Sequence, residues 1–419
     1  MIINKYFSIF FLVLSITAIL FLTLVPAYYS HLRVDIYGQY INHVNAYLND
    51  GSLSDLGYNE YQPVAVMFFV ALSPFYTSSN YNINQYIYGL YLVNILLILV
   101  SAFLIYKIKN NYSNIFIFAL ILLFTGPIIL NRFELLVFVL LLISIFFFTR
   151  RYYFWSGIFL AISIFTKIYP IVFAPYLLYI VIKNRRSMFD IFKYILGGLV
   201  GSALVLFVFC TLLGANPTKI LTDINIHQIK PVHAESTWAT LITLLQWNNT
   251  HNIAGGSVGI FGIREEFIIF PKMFYNFFWI GLILIYYLYI FIKNYSTKIL
   301  HFENGVLYIL ALAFLVASKI LTPQYTLWFS LLFTLLTIPI TWKKQFWWSM
   351  QLFLILLISV LTQFIYPLNY EGLVVFYDKP DGTQMYFWIL ALRNILLIVL
   401  LFISLAYFRF HRKKIKITH

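Results

Sequence analysis

Asp35 opens a Tyr-rich stretch, YYSHLRVDIYGQYINHVNAYLNDG, about eight residues past the end of the first long apolar run. Tyr37, Tyr40, Ile41, Val44 and Tyr47 follow at helical spacing, so the stretch reads as a helix lying at a membrane surface. A carboxylate at the start of such a helix can act as general base toward an acceptor hydroxyl. An Asp at a helix start more often serves as the N-cap, a position that it favours. Lys167 is the second residue placed for chemistry. It sits in FWSGIFLAISIFTKIYPIVFAPYLLYIVIK, residues 154–183, too long for one tidy helix and broken at Thr166-Lys167-Ile168-Tyr169-Pro170. Such a break is tolerated where other helices or a watery cavity satisfy the freed backbone groups, so Lys167 is expected to face protein rather than lipid. Taken alone, a lysine that snorkels to the interface fits as well.

Other candidates carry less. His227, His233 and His251 lie in one loop with Asp223 and Glu235, but their spacing matches no strong zinc pattern, and no metal is expected. Asp50, Asp55 and Glu60 belong to a Gly/Ser/Asn-rich turn and read as solvated loop carboxylates. The stretch from Gly255 to Gly262 lacks the strand-then-helix context of a dinucleotide loop and reads as a flexible segment able to close over substrate.

The elements that must position these residues are membrane helices. Hydrophobic residues make up 62% of 419, and apolar runs recur near 7–27, 85–106, 113–130, 133–149, 154–166, 168–182, 191–213, 268–292, 304–319, 321–341, 346–365 and 386–408. The expected fold is all-α, a polytopic bundle of about twelve transmembrane helices, forming a single domain over 1–419. With the N-terminus cytoplasmic, eighteen of the 28 Lys and Arg fall inside, joined there only by Asp190 and Glu303. The net charge of +14 is then a property of the cytoplasmic face of a plasma-membrane protein with both termini inside, and needs no nucleic acid. Residues 61–76, short and carrying Pro63 and Pro74, would invert every later loop if counted as a span; they read as a membrane-hugging or re-entrant piece. The first span reads as a retained anchor, and the lone Cys210 excludes a disulfide framework. Arg393 lies inside the last span, where a charge needs a partner: a lipid phosphate or a main-chain carbonyl.

On this topology two loops, 28–84 and 214–267, and a shorter one, 366–385, lie outside and carry most of the polar residues. A carrier would place its polar groups at broken helices near mid-membrane. Here they gather at outer span ends, which points to a site at the outer membrane surface, suited to a substrate half in lipid and half in water.

In the order of its motifs the chain resembles the GT-C glycosyltransferases, and within them glycosyltransferase family 87, the polyprenyl-phosphate-mannose-dependent mannosyltransferases. The motifs are Asp35 in its Tyr-rich stretch, Tyr61-Gln62-Pro63, Asn131-Arg132-Phe133-Glu134, Ser156-Gly157 leading to Lys167-Ile168-Tyr169-Pro170, His227 to Ser236, and Ser318-Lys319 to Pro323-Gln324-Tyr325 and Trp328. The resemblance implies an inverting transferase that takes a hexose, mannose by analogy, from a polyprenyl-phosphate sugar at the outer leaflet and passes it to a glycan or glycolipid, with no cofactor. It implies Asp35 as base and Arg132, Lys167, His227, Lys230 and Lys319 as groups that stabilise the departing lipid phosphate. Tyr61, Glu134, Tyr169, His233, Glu235, Gln324 and Tyr325 are the implied substrate-binding residues. Glu134 and Lys230 stand where the family more often has Asp and Arg, and at 230 a point charge replaces a bidentate fork. Arg132 and Glu134, two residues apart, also read as a structural pair. A transporter or flippase of a lipid-linked sugar would use the same cations without needing Asp35.

Overall fold

The computed structural model describes residues 4–25, 31–53, 61–77, 81–184, 187–216, 229–246, 254–257, 260–294, 303–378 and 384–411. The architecture is a helical bundle. In chain order it runs α1 (Lys5–Thr23), α2 (Ile41–Asp50), α3 (Pro63–Ala71), α4 (Ser73–Thr77), α5 (Ile83–Lys109), α6 (Tyr112–Thr125), α7 (Glu134–Thr149), α8 (Tyr153–Thr166), α9 (Ala174–Lys183) and α10 (Met188–Leu212). It continues with α11 (Thr237–Leu245), α12 (Lys272–Asn294), α13 (Asn304–Ala317), α14 (Thr326–Phe333), α15 (Trp342–Gln363), α16 (Tyr370–Asp378) and α17 (Gln384–His411). All twelve apolar runs contain a helix. Among the described residues seven helical stretches are long and apolar enough to cross a membrane, beginning at Lys5, Ile83, Tyr112, Met188, Lys272, Trp342 and Gln384. The other five runs hold shorter helices.

Local chemistry sets the helix ends. Asn82, Asn111, Ser187 and Ser236 each accept from a backbone N–H of the first turn, closing donors that the helix cannot pair itself. Helix α8 stops at Thr166 because Lys167 is extended (φ −158°, ψ 138°) and Pro170 follows; a 3-10 turn, Tyr169–Phe173, leads into α9. Residues 61–77 form α3 and α4, two short helices meeting at Leu72. Where α8 crosses α10, glycines let the backbones touch: a Cβ on Gly197 would lie 2.0 Å from the Phe154 carbonyl oxygen, and one on Gly157 would lie 2.3 Å from that of Tyr194.

The bundle is layered by burial. Helix α13 is buried along almost its whole length and, with α7 and α14, forms the centre, whereas α10 and α12 turn broad apolar faces outward. A uniformly apolar helix belongs inside a packed bundle or against lipid, and both occur here. Gln351, Ser404 and Tyr308 close a buried hydrogen-bond set among α15, α17 and α13, with Ser404 Oγ donating to Gln351 Oε1 at 2.9 Å.

Two expectations change. The glycine-rich segment is paired, not loose: Ala254–Ser257 (β1) and Ile260–Ile263 (β2) form an antiparallel hairpin. It is tied down at Gly262, opposite His233, where an added Cβ would strike Pro231 at 2.6 Å. Asp35 does not cap a helix. Its backbone is already αR at the start of a π-helical turn, Ile36–Tyr40, that runs into α2, and its side chain makes no capping bond. His227, Asp223, His251, Asp55 and Glu60 lie outside the described residues.

Candidate active site

Helix junctions at one end of the bundle surround a cavity of about 540 Å³. That volume is in the range of small-ligand sites. Asp35, Tyr61, Arg132, Lys167, Lys230, His233, Glu235, Lys319, Gln324 and Tyr325 all line it, drawn from stretches far apart in the chain. Glu134 and Tyr169 lie just behind the wall.

Arg132 reaches the cavity because its junction is held rigidly. Asn94 of α5 donates to the carbonyls of Leu130 (2.8 Å) and Arg132 (3.1 Å). The Tyr91 hydroxyl donates to Asn131 Oδ1 at 2.9 Å, and Asn131 Nδ2 donates to the Pro127 carbonyl at 2.9 Å. So fixed, the buried guanidinium points Nη2 at the Tyr366 hydroxyl (2.9 Å), and that hydroxyl donates in turn to the His31 carbonyl. Nη1 stands 2.9 Å from Asp35 Oδ2, a close ion pair but off the line of a hydrogen bond. Nε likewise has no hydrogen-bond partner among the described residues. Buried N–H groups of this kind are costly to leave open, which suits a guanidinium awaiting an anionic ligand.

The sequence neighbours Arg132 and Glu134 are not a pair, contrary to one expectation. Glu134, at the first turn of α7, takes Lys167 Nζ on Oε1 and accepts from Trp328 Nε1 on Oε2 (2.7 Å). Lys167 neither snorkels nor stands as an unopposed cation: its ammonium lies between the Glu134 carboxylate and the rings of Tyr325, Phe133 and Trp328, 4.5, 5.0 and 5.1 Å from their centroids. Tyr169 and Tyr325 both stack on Trp328, at 4.2 and 4.0 Å. Trp328 is thus the centre of an aromatic floor that the implied residues Tyr169 and Tyr325 share.

The facing wall is the segment before α11. Lys319 Nζ donates to the Lys230 carbonyl (2.7 Å), and the His233 N–H donates to the Lys319 carbonyl (2.9 Å). Lys230 and Lys272 act on Lys319 as nearby like charges. Burial holds His233 far below the usual imidazole range, at about 3, and Arg393 and Lys230 push the same way, against a hydrogen bond to the Leu321 main chain. His233 is therefore a neutral hydrogen-bonding group rather than a cation. Burial raises the Glu235 carboxyl to about 7, offset only in part by Arg393, whose Nη1 lies 3.3 Å from Oε2. Arg393 thus meets a carboxylate and a main-chain carbonyl, not open lipid.

The model of glycosyltransferase family 87 matches residues 59–263. The chain is a GT-C-type membrane glycosyltransferase resembling family 87. No curated protein matches it. The matched stretch takes in Arg132, Lys167, Lys230 and His233, while Asp35 precedes it and Lys319 follows it. The glycosyltransferase therefore closes its cavity with residues from both sides of the matched region. Two contributors gave no signal of chemistry in the sequence. Asn94 is a neutral polar residue inside an apolar run, where only its depth hinted at a buried partner, Tyr366 lies just past the end of another run, and Trp328 entered solely as the last residue of the motif that begins at Ser318. Among the described residues no group of three or more His, Cys, Asp or Glu could hold a metal.

Proposed function

We propose that the glycosyltransferase moves a hexose, mannose by its family likeness, from a polyprenyl-phosphate sugar to a hydroxyl of a glycan or glycolipid, with inversion, at the outer surface of the plasma membrane. The observation that carries the reading is selective exposure. Among the described residues two carboxylates, Asp35 and Glu235, line the cavity and Glu134 lies behind its wall, each opposite a cation; the side chains of Glu134 and Glu235 are 1% and 2% exposed, and that of Asp35 is 30% exposed. Of these three, Asp35 is the one open to an incoming hydroxyl.

In the proposed step the acceptor oxygen attacks the anomeric carbon and its proton passes to Asp35. The bond from that carbon to the phosphate oxygen breaks, and the electron pair leaves with the polyprenyl phosphate. A phosphate leaving group needs no proton, so one carboxylate suffices where hydrolysis of a glycoside uses two. Attack from the face opposite the phosphate turns a β-linked donor into an α-linked product. Lys230 and Lys319 meet the phosphate from the wall that carries His233, and Arg132, whose Nε has no hydrogen-bond partner among the described residues, meets it from the side of Asp35. Apolar and aromatic lining residues, Phe277, Trp279, Phe314 and Ile320, suit the isoprenoid next to the phosphate. Tyr61, Gln324 and Tyr325, half-buried in the cavity wall, suit the sugar.

The test is transfer by the purified protein from radiolabelled polyprenyl-phosphate-mannose to a membrane glycolipid extract, with the anomeric configuration of the product read by α- and β-specific mannosidases. An α-linked product supports the reading. Retained configuration refutes inversion. Donor that is bound and moved across a vesicle membrane with its sugar–phosphate bond intact would make the protein a carrier.

A further inference from the structure

Arg393 is fully buried in the interior of α17. A hydrophobic residue would pack there at lower cost, so the charge calls for a reason other than stability. Its guanidinium and the next side chain grip one corner of the chain. Arg393 Nη2 donates to the Glu235 carbonyl (2.5 Å), while Nε and Nη2 donate to Asn394 Oδ1 (3.1 and 2.9 Å), which orients the Asn394 amide. Asn394 Nδ2 then donates to the carbonyls of Glu235 (3.2 Å) and Ser236 (3.1 Å) and to Thr240 Oγ1 (2.7 Å). Glu235 and Ser236 are the point where the cavity wall turns into α11, Ser236 being the cap of that helix. On the other side of the corner the wall is fixed by His233 N–H to Lys319, Lys319 Nζ to Lys230, and Ile263 N–H to the Val232 carbonyl (2.8 Å). The wall that presents Lys230 and His233 is therefore strung between the 319 junction and the Arg393–Asn394 pair. Neither Arg393 nor Asn394 lines the cavity.

We propose that Arg393 and Asn394 are positioning residues of the transferase, a clamp from the last long helix that sets where Lys230 and His233 stand against the donor phosphate. This rests on the transferase reading above. A planar guanidinium fork suits the task, because it fixes direction at two acceptors at once, as a lysine cannot.

A merely structural charge pair predicts different results. Arg393→Met alone leaves Glu235 buried without its cation and is expected to destabilise the protein, whatever its role. The informative protein is therefore the double variant Glu235→Gln/Arg393→Met, which removes both charges, studied as full-length chain in nanodiscs beside Arg393→Lys, which keeps the charge and loses the fork. The double variant is expected to melt near the wild-type temperature. Its KM for polyprenyl-phosphate-mannose should rise at least about 10-fold with a smaller change in kcat, and Arg393→Lys should fall between it and the wild type. Hydrogen exchange should speed up over residues 230–240 and stay unchanged in α5 and α7. Wild-type donor KM and wild-type exchange in either folded variant would overturn the clamp. A wild-type protein that transfers no sugar from any lipid-linked donor would refute the transferase reading instead. The exchange arm would still decide whether the clamp orders the wall.

Discussion

Asp35→Asn is the sharpest perturbation, because its catalytic and structural effects separate. The amide keeps the size of the carboxylate and still turns an oxygen toward Arg132, so what folding loses is the Coulombic part of a pair whose acidic member is 30% exposed. Screening through that opening, and the Tyr366 hydroxyl that remains on Arg132, hold the cost to about 1–2 kcal/mol. On the proposed mechanism the chemical step loses its proton acceptor altogether. Removing a general base lowers rates by about 10²–10⁴-fold, equivalent to about 3–5 kcal/mol of transition-state stabilisation. Single-turnover transfer, with enzyme in excess over radiolabelled donor, reads the chemical step free of product release. The variant should bind donor within about 3-fold of wild type and fall at least about 100-fold in rate. Asp35→Glu should be impaired as well, since one methylene moves the carboxylate by about 1.5 Å and misplacement of that order costs about 10²-fold. A folded Asp35→Asn protein that keeps more than about a tenth of the wild-type rate would refute the assignment of the base.

Three further outcomes follow from the contacts. Lys167→Met strands the buried Glu134 carboxylate and should cost about 3–5 kcal/mol, while Lys167→Met/Glu134→Gln should recover most of it, since the substituted amide oxygen can still accept from Trp328; denaturant unfolding of both proteins checks this, and a loss under about 1 kcal/mol in the single variant contradicts the pairing. Tyr366→Phe removes the acceptor for Arg132 and the donor to His31, two buried bonds worth about 2 kcal/mol together, and by freeing the guanidinium should lower kcat/KM about 10-fold. Glu235 has a folded-state carboxyl raised to about 7 from its ordinary 4.5, so the stability it contributes is complete below about 4.5 and is lost as the pH climbs through about 7. Melting temperatures between about pH 4.5 and 8 should therefore decline for the wild type, and the decline should be shallower in Glu235→Gln.

Much of this was legible in the sequence, for a physical reason: in a chain so apolar, each ionisable residue inside or beside a span must have a partner or a ligand. That reasoning picked out Lys167 and Arg393, the family resemblance added Arg132 and Lys319, and all four prove to be engaged with protein groups in the fold. The partners were not legible. Glu134 stands two residues from Arg132, yet the junction that ends α6 turns Arg132 toward Asp35 while α7 carries Glu134 toward Lys167 and Trp328. Local cues also favoured Asp35 as a cap, and a tertiary ion pair prevailed over that propensity. Helix identity was clear and helix role was not: α10 and α13 read alike as apolar runs, but one faces outward and the other is buried at the centre. Composition cannot distinguish a lipid neighbour from a protein neighbour.

The charge arrangement also constrains how the reaction can run. In the proposed step, as the acceptor proton reaches Asp35, negative charge leaves the carboxylate and appears on the departing phosphate. Arg132, 2.9 Å from Asp35 Oδ2, faces a negative charge there before attack, and the Coulombic attraction between them is lost as that charge moves away during attack. A guanidinium committed to Asp35 alone would therefore slow the step it prepares. Arg132 avoids that conflict if the charge it loses at Asp35 is regained at the phosphate, through Nε and Nη1. A lysine, one point charge without a second face, has no equivalent. Arg132→Lys should accordingly retain much of the donor affinity, as a cation near the phosphate, and lose rate more than binding. Equal losses in kcat and in donor affinity would place Arg132 on the ground-state phosphate only, and leave the carboxylate to act unassisted.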